Sequence, residues 1–233
     1  QYNELIDYAW EKGIPPIGHV PNSVDAADAL SRQHSISHLG KFLSSNLNET
    51  ELYNQLASSS TAVCPTLTVL NRIRGREASY TGEWYDLISP DAREFYDETA
   101  HTLMSSESYA KTVSRVLKKI DDVDGLIIAG SDMGIRFVLP GIALHEELEH
   151  YANAGLTPFR TLKTATINPA KFMSDDLSGR IESGYKADLV LLNSNPLDNV
   201  SNTEDIAGVM KDGRWLSYDK IEEVLSWIRS YYK

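Results

Sequence analysis

Four short apolar runs, IPPIGHV, HSISHL, TAVCPTL and DGLIIAGSDMG, constrain this chain more than any other feature. None shows the polar alternation of a half-exposed strand, and helix-patterned stretches lie between them, SVDAADALSRQ after the first and ELYNQLA after the second. Such runs joined by helical crossovers predict a parallel sheet buried on both faces, and therefore an α/β protein. In a parallel sheet the C-terminal strand ends all lie on one side, which is where sites are built. Three of the four runs end in a potential ligand: His19, His38 and Asp132.

A lone histidine at a strand end is most often a hydrogen-bonded structural residue. Two histidines and an aspartate at the ends of three such strands reverse that expectation, because imidazole and carboxylate together suit zinc and other divalent metals. Composition narrows the partners. The 233 residues are 42% hydrophobic, enough for a sizeable core, and carry a formal charge of -11 with no basic cluster, which argues against nucleic acid and anionic membrane. Cys64 is the only cysteine, so no internal disulfide forms. Beside Pro65 in a strand run it reads as a small buried hydrophobe, not a nucleophile. No apolar run approaches the roughly 20 residues of a spanning helix, so a soluble protein of unassigned compartment is expected. The chain starts at Gln1 without an initiator Met or a signal-peptide pattern, which suggests that its true beginning lies upstream.

The strand–helix alternation is interrupted at about residues 71–120. Ser89-Pro90 starts a helix there, and Val113, Val116, Leu117 and Ile120 recur at helical spacing. Ahead of them Arg72, Arg74, Arg76, Tyr80, Trp84 and Tyr85 read as a long loop, in which Arg74 and Tyr80 are candidate substrate-binding residues. After Asp132, Leu144, Leu148, Tyr151 and Ala152 share one helix face, with His145, Glu146, Glu147, Glu149 and His150 read as an exposed charged face. His145 keeps a minor claim on the mouth of the site. Thr157-Pro158 and Asn168-Pro169 each predict a helix start with a capping residue before proline. GRIESGYKADLVLLN and AGVMKDGRWLS are strand-rich, and Asp212-Gly213 signals a two-residue hairpin. In DKIEEVLSWIRSYYK, Asp219 and Glu222 resemble a capping box and Ile221, Val224, Leu225 and Ile228 an apolar stripe, so a docking helix is expected. His34 and Asp188 read as structural, and His101 has no evident partner.

GHV, ISHL, CPTL, AGSDMG, EELEHYANAGLTPFRTLKTATINPAKFM, GRIESGYKADLVLLNSNPLDNV and VMKDGRWL, in that order, resemble the C-terminal portion of the amidohydrolase superfamily, in its imidazolonepropionase-like and prolidase-like branch. The resemblance implies a partial (β/α)8 barrel, with the four apolar runs as strands five to eight, and part of a small β-sandwich. The implied division is 1–175 for the barrel portion, 176–217 for the sandwich segment and 218–233 for the docking helix. It also implies a metal-dependent hydrolase of carbon–nitrogen bonds in a small-molecule substrate, a cyclic amide or dipeptide-like amide, using one or two divalent ions, zinc first among them. His19, His38 and Asp132 become the metal ligands. Asp132 is also the proton carrier, and His38 is either a ligand or a hydrogen-bond donor to the substrate carbonyl or the water. The family's strand-one His-x-His pair and its strand-four bridging residue are not in this sequence. The expectation is thus a fragment that pairs with the missing N-terminal half or forms a homo-oligomer, and that is inactive alone. The alternative is a catalytically empty piece with only a structural or assembly role.

Overall fold

A computed structural model describes residues 1–45, 48–73, 84–99, 107–134 and 138–232. Helix α1 (Tyr2–Glu11) leads into β1 (Ile17–Gly18), α2 (Ala26–Arg32), β2 (Ser35–Ser37), the short α3 (Gly40–Leu43), α4 (Glu49–Ser58), β3 (Ala62–Cys64) and α5 (Leu67–Ile73). The helices α6 (Pro90–Thr99), α7 (Glu107–Asp122), α8 (Ile142–Asn153), α9 (Pro158–Thr164) and α10 (Ile167–Phe172) follow. Strands β4 (Leu189–Leu192), β5 (Ile206–Lys211) and β6 (Arg214–Ser217) and helix α11 (Tyr218–Tyr231) complete the order. The protein is α/β, with a parallel sheet β1-β2-β3 and a separate antiparallel sheet β4-β5-β6.

Parallel pairing follows from crossovers that carry their own start signals. Asp25 caps α2 by accepting from the Ala27 amide, and Asn48 caps α4 by accepting from the Glu51 amide. Each helix then returns the chain to the same end of the sheet. The fourth apolar run extends the order through a single parallel bridge, Val63 to Ile127, with Val63 N–H donating to Leu126 and Ile128 N–H donating to Val63. It is less regular than its composition suggests, since the chain turns away after Ile128 and Ala129 donates to Thr164 instead.

The core lies between this sheet and α2, α4, α7 and α8. Ile36, Leu39, Leu56, Val63, Leu117 and Ile120 are all at most 1% exposed, each contributing about 1.5–3 kcal/mol of burial. Val113, Val116, Leu117 and Ile120 on α7 are the face that seals it, as their spacing predicts. Among the described residues no helix is long and apolar enough to cross a membrane.

Several local expectations are corrected. On α8 the buried face is Ala143, Glu147, Leu148 and Tyr151, while Leu144 is 39% exposed. Thr166, not Asn168, precedes α10, and the Asn168 side chain donates instead to the Ile127 carbonyl. Ser217, not Asp219, caps α11. That helix lies against β5, β6 and the single turn at Tyr85–Leu87, but none of its residues is buried and Val224 faces solvent. Of GRIESGYKADLVLLN only Leu189–Leu192 is strand. The β5–β6 hairpin does turn at Asp212 and Gly213, both with positive φ, and Asp188 braces it by accepting from the Asp212 amide and the Lys211 ammonium.

Gly130 marks a close approach between the fourth parallel segment and β3. A Cβ there would stand 2.5 Å from Cys64 Sγ. Gly130→Ala is therefore expected to cost roughly 1–3 kcal/mol of stability, and Cys64→Ala in the same chain should restore part of it. Denaturant unfolding of the single and double variants checks this, and an unshifted midpoint for Gly130→Ala contradicts it.

Candidate functional site

His19 follows β1, His38 follows β2, Thr66 stands two residues past β3, and Asp132 lies at the end of the fourth parallel segment. Parallel pairing thus delivers all four to one rim. The backbone at that rim is unusual: His38, Thr66 and Asp132 have φ of 65°, 52° and 57°. Left-handed backbone is uncommon outside glycine, and for a β-branched residue such as Thr66 it is an outlier. In each case the turn lifts the side chain out of the strand's alternation. The His38 amide anchors its turn by donating to the Cys64 carbonyl at 2.8 Å.

The two imidazoles meet. His19 Nε2 and His38 Nε2 are 3.1 Å apart, and the rings cross at 60° with centroids 4.3 Å apart. An Asp132 carboxylate oxygen lies 3.8 Å from His38 Nε2. His38 Nδ1 contacts Thr66 Oγ1 closely. Thr66 spends its only hydroxyl proton on the Pro65 carbonyl at 2.8 Å, so toward His38 it acts as acceptor and Nδ1 carries the ring proton. The neutral ring then offers a bare lone pair at Nε2, facing His19. Burial depresses the His38 pKa below 6.5, His19 depresses it further, and Asp132 partly offsets both. This keeps the lone pair available near neutrality.

The donor chemistry can be tested against a divalent ion. Two nitrogen ligands at usual zinc distances stand roughly 3.3 Å apart in a tetrahedral site, and the observed 3.1 Å suits a pair sharing one ion. An acceptor fixing Nδ1–H is also the usual arrangement behind a ligating imidazole. The expected set of three appears as a close histidine pair with Asp132 at longer range. Among the described residues no group of three His, Cys, Asp or Glu side chains is arranged to hold a metal ion.

The other candidates fall elsewhere. Arg74 and Tyr80, expected to bind substrate, lie outside the described residues, as do Arg76 and His101. His145 donates or accepts at Thr203 Oγ1, 2.9 Å away, in the turn at Val200–Glu204, and Glu149 accepts from Ser201 of the same turn. His34 Nε2 meets the Phe172 carbonyl at 3.0 Å and stacks on that ring. Burial pushes the Cys64 thiol up to about 12, so it stays protonated. A cavity of about 310 Å³ lined by Asn22, Ser23, Asp25, Lys41 and Ser44 opens just beyond the two histidine turns. A larger one of about 400 Å³, lined by Trp10, Gln33, His34 and Thr61, lies where β2 and β3 begin, away from the histidine pair.

Sequence reasoning missed Thr66 and Glu147. Thr66 had only its place after a strand to signal it. Glu147, read as exposed, is 0% exposed. Its four-residue spacing from Ala143 and Tyr151 already placed it on the apolar face.

A comparison with protein families matches residues 5–216 to the amidohydrolase family. Among solved structures, a bottromycin amidohydrolase is 25% identical with a TM-score of 0.77, over 99% of this chain and 56% of that one. A Xaa-Pro dipeptidase with methionine bound in its active site is 21% identical with a TM-score of 0.67, over 91% of this chain and 47% of that one. The chain thus spans about half the length of the structures it matches. A comparison with curated proteins finds no match.

In the metal-free protein, His38 is expected to titrate below 6.5. Asp132→Asn should lower that pKa further, because the carboxylate favours the imidazolium, and His19→Ala should raise it by removing a competing cation. Imidazole NMR titrations of the three chains read both signs, and shifts in the same direction contradict the arrangement.

Proposed function

Because this chain belongs to the amidohydrolase family, we propose that it supplies one side of the active site of a metal-dependent hydrolase of carbon–nitrogen bonds. The observation that carries the reading is the His19–His38 pair, with Nε2 atoms 3.1 Å apart and the His38 proton held on Nδ1 by Thr66. On the family's pattern the four parallel segments are strands five to eight of a (β/α)8 barrel, residues 1–175 its C-terminal portion, 176–217 a sandwich segment and 218–233 a docking helix. His19, His38 and Asp132 are the ligands.

A divalent ion held there, zinc by preference of its ligands, would supply Lewis acidity toward a carbonyl and acidify a water. The chain's own residues do the rest. Asp132 is solvent-accessible at the rim and takes the proton of the attacking water, then passes it to the departing nitrogen. His38, neutral and oriented, stays at the rim as donor of its Nε2 lone pair.

The similar structures described as a bottromycin amidohydrolase and a Xaa-Pro dipeptidase support an amide substrate, dipeptide-like in the second case, and a cyclic amide is the other substrate class the reading allows. Further ligands come from polypeptide outside this chain, either its missing N-terminal half or a second copy. Among the described residues β1 pairs only with β2, and its other side, where Ile17 is 64% exposed, offers that polypeptide an edge to pair with. A purely structural role for the chain is the competing reading, and metal separates the two.

The natural full-length protein is expected to purify with stoichiometric divalent metal and to lose it in a His19→Ala, Asp132→Ala double variant. Asp132→Asn alone should cut hydrolysis of a dipeptide-like amide by about 10²- to 10⁴-fold. Metal analysis and chelator-sensitive hydrolysis are the measurements. A full-length protein that binds no metal and hydrolyses no amide supports the structural role.

A further inference from the structure

Glu147 is a carboxyl buried in the interior of the fold. It sits on α8 with no solvent exposure, and burial pushes its carboxyl up to about 7 against the hydrogen bonds it accepts. Its oxygens accept from the Leu67 amide at 2.7 Å and the Thr68 amide at 2.6 Å, and Tyr151 also hydrogen-bonds to it. Those two amides open α5, directly after Thr66. The first amides of a helix have no partner within it, and a capping side chain ordinarily comes from the residue just before, in extended conformation.

Thr66 occupies that place and does not do that task. Its φ of 52° is not a capping conformation, and its hydroxyl is engaged by the Pro65 carbonyl and His38 Nδ1. Capping has passed to a carboxylate some 80 residues away. Glu147's two oxygens hold the left-handed corner at Pro65–Thr68 in place, and the corner holds Thr66 Oγ1 against the ring.

We infer that Glu147 is a positioning residue: by holding the Leu67 and Thr68 amides, it frees Thr66 to fix the His38 proton on Nδ1 and aim the Nε2 lone pair at His19. The effect on metal rests on the reading of the pair as ligands, whereas the effect on the tautomer does not. Glu147→Gln keeps the shape but presents an amide NH₂ to one of the two backbone N–H groups, so the corner loses one of its two anchors.

The test uses the whole chain without metal at pH 8, with imidazole ¹⁵N shifts reporting the His38 tautomer and near-ultraviolet circular dichroism reporting the fold. Wild type should show Nδ1–H. Glu147→Gln should shift His38 to a mixture of tautomers while His34 keeps its signal, and Thr66→Val should do the same, with the double variant no worse than Thr66→Val alone. Glu147→Asp, one methylene shorter, is the second probe and should give the same mixture. In the full-length protein, Mn²⁺ affinity should fall by about 10- to 100-fold in Glu147→Gln. A folded Glu147→Gln chain with the wild-type His38 signal overturns the inference, as does a wild-type His38 protonated on Nε2. Unaltered tautomers condemn Glu147's role. Altered tautomers in a protein that binds no Mn²⁺ leave that role intact and count against the hydrolase.

Discussion

The contact on which the rest of this structure depends is made where α8 meets the end of β3, with a buried carboxylate received by the opening amides of α5. Burying such a group is unfavourable unless every lone pair is used. Two backbone amides, Thr68 and Tyr151 use them. Tyr151, one turn further along α8, has its one hydroxyl proton engaged at Glu147, and the same oxygen lies 3.4 Å from the Ile128 carbonyl. One helix face therefore holds the corner that leads to Thr66 and packs beside the segment that leads to Asp132.

The electrostatics of the rim are set by burial and by the neighbours of His38. His38 is half shielded between the sheet and its own turn, which disfavours the imidazolium, and the nearby His19 disfavours it again. A neutral ring with its proton assigned is a directed Lewis base. Asp132 stands on the solvent side of the rim and is exposed.

The parallel order was legible because it is written in composition: apolar runs without alternation, helices with capping residues, and a ligand-type side chain at three run ends. The hairpin at Asp212-Gly213 and the α7 face were legible for similar reasons, since turn chemistry and periodicity are local. What escaped was decided by distant partners. The spacing of Glu147 from Ala143 and Tyr151 signals its burial, but its partners, amides 79 and 80 positions away, are not expressed in its own neighbourhood. Asn168 is drawn off capping duty by the Ile127 carbonyl. The fourth run loses regular pairing because Ala129 bonds to α9 rather than to β3. Thr66 gave no sign, since nothing local predicts left-handed backbone at a β-branched residue.

The three left-handed residues at the rim carry a consequence for how this sequence can drift. Glycine at position 38, 66 or 132 would relax the turn it sits in, and each such exchange would remove a side chain from the proposed site. Substitutions that make the chain sturdier at these places are thus the ones that would dismantle the proposed site. On the proposed reading, robustness and chemistry make opposite demands at the same three positions.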